Sequence, residues 1–277
     1  MPKFKYALGC IDEAPDSSDR RLTRLPRSLW GTYPPKVDRS SRMSPVSDQG
    51  PEAAGVGFAV VDGVMEYLEQ RDHKKPVQLS VRYVYEEARK LGKSMDGEGA
   101  SIRSAMKVLN SKGVPPQSCW EYRAGKAGKP CPDVDKHAMK NRIESYVCLK
   151  SLDEMRECLL MNGPFVAGIT VHENAWNAAE RSGVVRMPER NDAKVGGHAI
   201  CIVGYDDLKK RFKFKNSWGT GWGRKGYGFI PYDYVLKRSL GVWSASDLLG
   251  HKDVLPLLEK LVKYGLKPWW MKKSKKA

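Results

Sequence analysis

The sequence predicts an α+β protein with two lobes, a helical first half and a β-rich second half. Three segments before residue 114 carry apolar residues at the three- and four-residue spacing of one helix face. After residue 163 the pattern changes to short, β-branched apolar runs, which are typical of strands. At 277 residues, the length allows one large domain or two lobes of ordinary size. We predict an extended N-terminal segment over 1–44 that packs on the body of the protein, a helical lobe over 45–145, a β-rich lobe over 146–245, and a C-terminal helix with a basic tail over 246–277.

The first predicted helix follows a polar turn, PVSDQGPEAA, and runs from Gly55 to Gln70. Its apolar positions recur at spacings of three, four and three residues, at Phe58, Val61, Met65 and Leu68. This spacing indicates a central helix with one buried face. Gly57 and Gly63 lie inside it, and we attribute both to close packing against the β-rich half.

Three more helices are predicted. LSVRYVYEEARKLG has Ser80 as a cap and Gly92 as a stop, and ASIRSAMKVLNSKG ends at Gly113. A shorter helix follows the capping box formed by Ser151 and Glu154.

The predicted strands are PFVAGITV, HAICIVGY, RFKFKN and GYGFIPY. In RFKFKN, strict alternation places Phe212, Phe214 and Asn216 on one face and Lys213 and Lys215 on the other. Beyond the predicted sheet, DVLPLLEKLVKYG has the apolar stripe of a C-terminal helix.

The chain is strongly basic, with 48 Lys and Arg against 32 Asp and Glu and a formal net charge of +16. Such an excess can indicate binding to nucleic acid or an anionic surface. The charge is spread along the chain, however, and only the end, KPWWMKKSKKA, forms a compact basic and aromatic cluster. We therefore favour a solvated basic surface. The Trp269–Trp270 tail fits an interaction segment and an unstructured end equally well.

No apolar run is long enough to span a bilayer, and the N-terminus lacks the apolar core of a secretory signal. The predicted location is the cytoplasm. The six cysteines show no C-x-x-C spacing, which argues against a structural zinc site. We expect no metal and no cofactor. Cys119 and Cys131 flank a loop rich in Gly and Lys and could pair under oxidising conditions. The remaining histidines are assigned to surface or loop positions without a role: His73, His137, His172 and His251.

Several familiar catalytic motifs are missing from the sequence. There is no G-x-S-x-G, no H-E-x-x-H and no Walker A sequence, and the Gly55–Gly57 pair lacks the third glycine of a dinucleotide site. An ordered set remains, consisting of Gln49 before a helix start, His198 on a strand, and Asn216 directly before SWGTGWG.

On the basis of these residues and their order, the chain resembles the papain family of cysteine peptidases. The matching stretches are PVSDQG, LSVRYVYEEARK, EGASIRSAMKVLNSKGV, GGHAICIVGYDD and KNSWGTGWGRKGYGFIPYDYV. They lie between about Leu25 and Ala245, and they look most like a compact bacterial type. The resemblance implies a papain-like fold, with a helical left lobe, a β-barrel-like right lobe, and a cleft between them that takes a peptide or protein segment.

The resemblance also implies a role for each matched residue. His198 would act as general base and then acid, with Asn216 orienting its ring. Gln49 would donate to the oxyanion. Trp218 would shield the His–Asn hydrogen bond from water, and Gly99 would lie where the substrate backbone passes.

The nucleophile position falls on Gly55, six residues after Gln49, and residues 50–58 contain no Cys, Ser or Thr. Cys201 is no substitute, because it follows His198 by three residues on a strand and therefore points to the opposite face. As written, the chain is predicted to be inactive as a thiol peptidase.

Three hypotheses follow from Gly55. The chain is a natural pseudopeptidase that binds peptide or protein segments, or it is an inactivated form of an active peptidase. Alternatively, it is a scaffold that acts on nucleic acid or an anionic surface through its basic surface and tail.

Overall fold

A computed structural model describes residues 4–21 except positions 13, 15 and 18, together with residues 33–92 and 99–246. The predicted C-terminal helix and basic tail, including Trp269, Trp270 and His251, lie outside the described residues. Within the described ranges, none of the helices combines the length and apolar character that crossing a membrane requires.

The described helices fall mostly in the first half of the chain and on the flanks of a sheet. They are α1 (Gly55–Phe58), α2 (Glu66–His73), α3 (Val81–Leu91), α4 (Ile102–Ser111), α5 (Val134–Ala138), α6 (Leu152–Met161), α7 (Glu173–Asn177), α8 (Ala179–Ser182) and α9 (Tyr232–Arg238). The strands are β1 (Lys36–Asp38), β2 (Ser145–Cys148), β3 (Phe165–His172), β4 (Lys194–Asp206), β5 (Arg211–Lys215), β6 (Tyr227–Pro231) and β7 (Ser239–Ser246).

The predicted central helix is one continuous element, buried through Glu69, in which a π-helical segment, Ala59–Met65, joins α1 to α2. A Cβ on Gly63 would lie 2.7 Å from the Cys201 Sγ of β4, so this glycine does permit close contact with the sheet. The attribution for Gly57 is wrong. A Cβ there would meet Val81 and Tyr85 of α3, because this turn of the helix packs inside the helical lobe.

The predicted caps are confirmed. The Ser80 hydroxyl accepts a hydrogen bond from the Tyr83 amide at the start of α3. Ser151 and Glu154 form both hydrogen bonds of the capping box that starts α6. These bonds satisfy backbone donors that a helix N-terminus otherwise leaves unpaired.

The strands form one antiparallel sheet in the order β2-β7-β3-β4-β5-β6, and β1 pairs with β4. Strands β1, β2 and β7 were not predicted from the sequence. The first two have only three and four residues, too few for a clear alternation. In β7 the run SLGVWSAS mixes small polar residues with apolar ones.

Two hydrophobic clusters lie on opposite faces of β4, which confirms the α+β, two-lobed class. Ala199, Cys201 and Val203 contribute to the cluster around the central helix. Ile200 and Ile202 contribute to the cluster within the β-rich half, as expected for alternating residues on a strand.

Strand β5 shows the same division of faces. Phe212 and Phe214 lie in the β-rich cluster, and Lys215 lies on the other face, as the alternation predicts. Lys215 is nevertheless buried, because the helical half covers that face. Its Nζ donates hydrogen bonds to the Ser44 hydroxyl and the Asp62 carbonyl.

Candidate functional site

Gln49 lies in the middle of the polar turn that leads into α1. Its backbone amide donates to the Ser217 carbonyl at 2.9 Å, and its Oε1 accepts from the Ser217 hydroxyl at 2.7 Å. Its Nε2 donates to the Glu52 carbonyl at 2.8 Å. The side chain is fully buried. The amide nitrogen therefore has a fixed direction before any ligand binds.

His198 and Asn216 form a hydrogen-bonded pair across the sheet. The ring Nε2 of His198, on β4, lies 2.8 Å from the Asn216 Oδ1, just after β5. Trp218 stacks on the imidazole with ring centroids 4.4 Å apart, and Trp176 packs edge-on against it. The indole rings keep water away from the pair, which strengthens the hydrogen bond.

Gly55 lies directly in front of this pair. A Cβ built on Gly55 would lie 2.9 Å from the His198 Nδ1 and 3.1 Å from the Gln49 Oε1. The fold thus brings Gln49, Gly55, His198 and Asn216 together. The Nδ1 of His198 is buried and has no hydrogen-bond partner among the described residues.

Burial lowers the pKa of His198 from 6.5 to about 4, and the Asn216 hydrogen bond raises it only in part. The imidazole is therefore neutral near pH 7. A facing thiolate would favour the imidazolium form, but glycine supplies no charge there.

The buried thiols of the β-rich half point elsewhere. Cys158 Sγ lies 3.1 Å from the Ser244 hydroxyl, and burial raises the pKa of this thiol to about 12. Cys201 contacts the helix at Gly63, and burial likewise raises its pKa to about 12. Neither sulfur is among the nearest atoms to a Cβ on Gly55, which belong to His198 and Gln49.

An extended N-terminal segment, residues 4–11, lies beside the site and forms hydrogen bonds with both lobes. The amides of Gly9 and Cys10 donate to the Gly197 carbonyl of β4 at 2.9 Å. On the helical side, the Ala100 amide donates to Gly9 at 2.9 Å and the Ile11 amide donates to Ala100 at 3.0 Å. The segment thus bridges the two lobes.

The same segment reaches the predicted site residues. The Gln49 Nε2 donates to the Ala7 carbonyl at 3.2 Å, and the Tyr6 ring stacks on Trp218 with centroids 4.3 Å apart. Gly99 adopts a left-handed φ of +100°, and a Cβ there would overlap the Gly9 backbone. The backbone that passes Gly99 is therefore the chain's own.

Sequence reasoning did not predict these contacts. Residues 4–11 form most of them through backbone amides and carbonyls, which leave no side-chain pattern to detect. Besides Gly99, the paired glycines Gly196 and Gly197 were an available signal, since a Cβ on Gly196 would collide with Leu8.

One histidine assignment is wrong. His172 ends β3 in a buried position, with its Nδ1 3.0 Å from the Asp192 carbonyl and its ring edge-on to Tyr234. The loop that carries Asp192 folds back over the strand and covers the imidazole.

A His–Asn pair that faces the first turn of a buried helix, with an oriented glutamine amide beside it, defines the site of a papain-type peptidase. Comparison with known proteins agrees, since the profile described as papain family cysteine protease matches residues 33–236. The chain belongs to this family.

Solved and curated relatives support the assignment. Xylellain, a cysteine protease from Xylella fastidiosa, is 28% identical, with a TM-score of 0.79 over 90% of this chain and 99% of that chain. An uncharacterized peptidase C1-like protein of Acanthamoeba polyphaga mimivirus is 30% identical over 63% of this chain and 60% of its own length. Cathepsin R of Mus musculus is 29% identical over 76% of this chain and 64% of its own. The chain therefore spans less than two thirds of these two curated relatives.

Proposed function

We propose that this protein is a pseudopeptidase that binds an extended peptide or protein segment in its cleft without cleaving it. Gly55, at the position of the family's thiol, is the observation that carries the proposal. In this proposal Gln49 holds a peptide carbonyl, the His198–Asn216 pair forms the floor of the cleft, and Trp218 forms an aromatic wall.

Packing at Gly55 supports the absence of hydrolysis. No side-chain atom at this position can attack a carbonyl, so no covalent intermediate can form there. A Cβ would also lie 2.9–3.0 Å from two atoms of the His198 ring, tighter than ordinary contacts. The imidazole fits against glycine and would have to shift to accept a cysteine.

The contacts of residues 4–11 support binding of extended backbone. Gly197 and Ala100 present hydrogen-bonding groups from opposite lobes, and Gln49 presents its amide to a carbonyl. Backbone pairing of this kind provides affinity that depends little on sequence, and side-chain contacts such as Tyr6 with Trp218 add selectivity.

The test compares the chain as given with its Gly55→Cys variant under reducing conditions. Each is also prepared with Gly9→Ala, a substitution that weakens the contact between the N-terminal segment and the cleft. Fluorogenic peptides report hydrolysis, and a thiol-directed peptidyl epoxide reports a reactive cysteine at position 55. We expect no turnover from the natural chain and labelling of the Gly55→Cys, Gly9→Ala double variant. His198→Ala in that double variant serves as the control and should abolish labelling.

Hydrolysis by the natural chain would overturn the claim of inactivity. A Gly9→Ala chain that binds no extended peptide would overturn the binding role. These outcomes are distinct, because the first concerns chemistry at Gly55 and the second concerns occupancy of the cleft.

A further inference from the structure

We propose a zinc-binding site formed by Cys119, Cys131 and His137 at the surface of the helical lobe. The two sulfurs and one ring nitrogen of His137 lie within 4.8 Å of one another. All three residues are half-buried, so the cluster is open to solvent on one side. No residue of the peptidase site takes part in it.

The distances suit a tetrahedral metal centre. With Zn–S bonds of about 2.3 Å and Zn–N bonds of about 2.0 Å, tetrahedral ligand atoms lie roughly 3.5–3.8 Å apart. The observed limit of 4.8 Å therefore requires a contraction of at most about 1.3 Å. Two thiolates and an imidazole form a borderline-soft ligand set that favours Zn²⁺ over Mg²⁺ or Ca²⁺. The fourth position is left for water.

Local structure holds the ligands in place before a metal binds. The Cys131 amide donates to the Cys119 carbonyl at 2.6 Å, which closes the base of the loop between them. The Trp120 indole donates to the Ala127 carbonyl inside the loop. His137 lies on α5, which the Tyr83 hydroxyl anchors to the helical lobe through Asp135 at 2.6 Å.

The charge of the segment favours thiolates. Residues 119–140 contain five Lys and Arg and three Asp and Glu. A bound Zn²⁺ would neutralise the negative charges of two cysteine thiolates at the site.

The expectation of no metal relied on sequence spacing, since no C-x-x-C motif is present. Here eleven residues separate the cysteines, and the fold closes that loop to bring the sulfurs together. The C-x11-C-x5-H spacing is the signal that a search restricted to C-x-x-C misses.

The site would stabilise the turn that carries Gln49. Within the Cys119–Cys131 loop, the Tyr122 hydroxyl donates to the Gln49 carbonyl at 2.8 Å, and the Gly125 amide donates to a Glu52 carboxylate oxygen at 3.0 Å. A metal bound by Cys119 and Cys131 at the base of this loop would limit the movement of the loop relative to Gln49 and Glu52.

The test titrates Co²⁺ into the full-length, reduced, metal-free protein without oxygen. We expect one Co²⁺ per chain, with a thiolate-to-cobalt charge-transfer band that Zn²⁺ abolishes. Cys119→Ser and Cys131→Ser should lose the band. His137→Gln, at a half-exposed position that leaves the core intact, should weaken binding by about 100-fold or more, since loss of a ligand's partner alone costs roughly 10- to 100-fold.

Matched controls separate this cluster from other groups. His73→Gln removes an exposed imidazole and Cys148→Ala removes a buried thiol elsewhere, and neither should change the affinity. A natural chain without the charge-transfer band would overturn the proposal, as would unchanged affinity in the three ligand variants. Recovery of a Cys119–Cys131 disulfide from protein isolated without oxidant would also overturn it.

Discussion

Replacing Gly9 with alanine should release the N-terminal segment from the cleft. A Cβ on Gly9 would lie 2.6 Å from the Cβ of Ala53 and would overlap the Ala53 carbonyl oxygen. Ala53 belongs to the turn that leads into α1 and cannot move without displacing Gly55. The segment therefore has to withdraw.

The size of the effect follows from this overlap. Overpacking a well-fitted contact by one methyl group costs about 1–3 kcal/mol. That range corresponds to about 5- to 150-fold in the ratio of docked to undocked segment. While the docked state dominates, the apparent affinity of the cleft for another peptide rises by the same factor.

Two measurements check this prediction. Hydrogen exchange at the amides of Gly9, Cys10 and Ile11 should accelerate in Gly9→Ala, because these amides are paired with Gly197 and Ala100 in the docked segment. A fluorescent peptide with the sequence FKYALGCID, added in trans, should bind the variant more tightly than the natural chain.

The matched control is Gly221→Ala, since a Cβ there meets nothing within 4 Å. It should leave both exchange and affinity unchanged. Equal exchange rates and equal peptide affinities in the natural chain, Gly9→Ala and the control would refute the reasoning.

Three further changes test the interior. Asn216→Ala should lower the free energy of unfolding by about 1–3 kcal/mol in urea, because it leaves the buried His198 Nε2 without a partner; no loss would contradict this. Burial raises the pKa of Glu66 from 4.5 to about 7, so its contribution to stability is full below pH 4.5 and is lost as pH rises through about 7. Between about pH 4.5 and 7, the unfolding midpoint of Glu66→Gln should therefore fall less with rising pH than that of the unchanged chain. Parallel pH dependences of the two midpoints would contradict this. Gly63→Ala should cost about 1–3 kcal/mol in thermal unfolding through overlap with Cys201, and an unchanged midpoint would show that the contact relaxes freely.

Local sequence was sufficient for much of the framework. The spacing of apolar residues predicted the central helix and α3, and Ser80 predicted where α3 begins. Such signals are readable because a cap and a helix face depend on residues within a few positions of one another. The order of Gln49, His198 and Asn216 was likewise readable, because these residue types lie in a characteristic local context.

The structure was needed wherever distant segments meet. The N-terminal segment reaches Gly197 and Ala100 through backbone groups, and any sequence can supply those groups. The burial of Lys215 could not be predicted for the same reason. Alternation on β5 predicts the face on which a residue lies, but it does not predict which segment covers that face.

By itself, the sequence determined that the chain has helical and β-rich lobes, a papain-type set of Gln49, His198 and Asn216, and glycine at position 55. Tertiary structure alone decided that the His198 ring packs against Gly55, that residues 4–11 bridge the two lobes, and that Cys119 and Cys131 meet His137. The physical reason is that these features depend on distances between atoms of remote segments, which close packing sets only when the whole chain has folded.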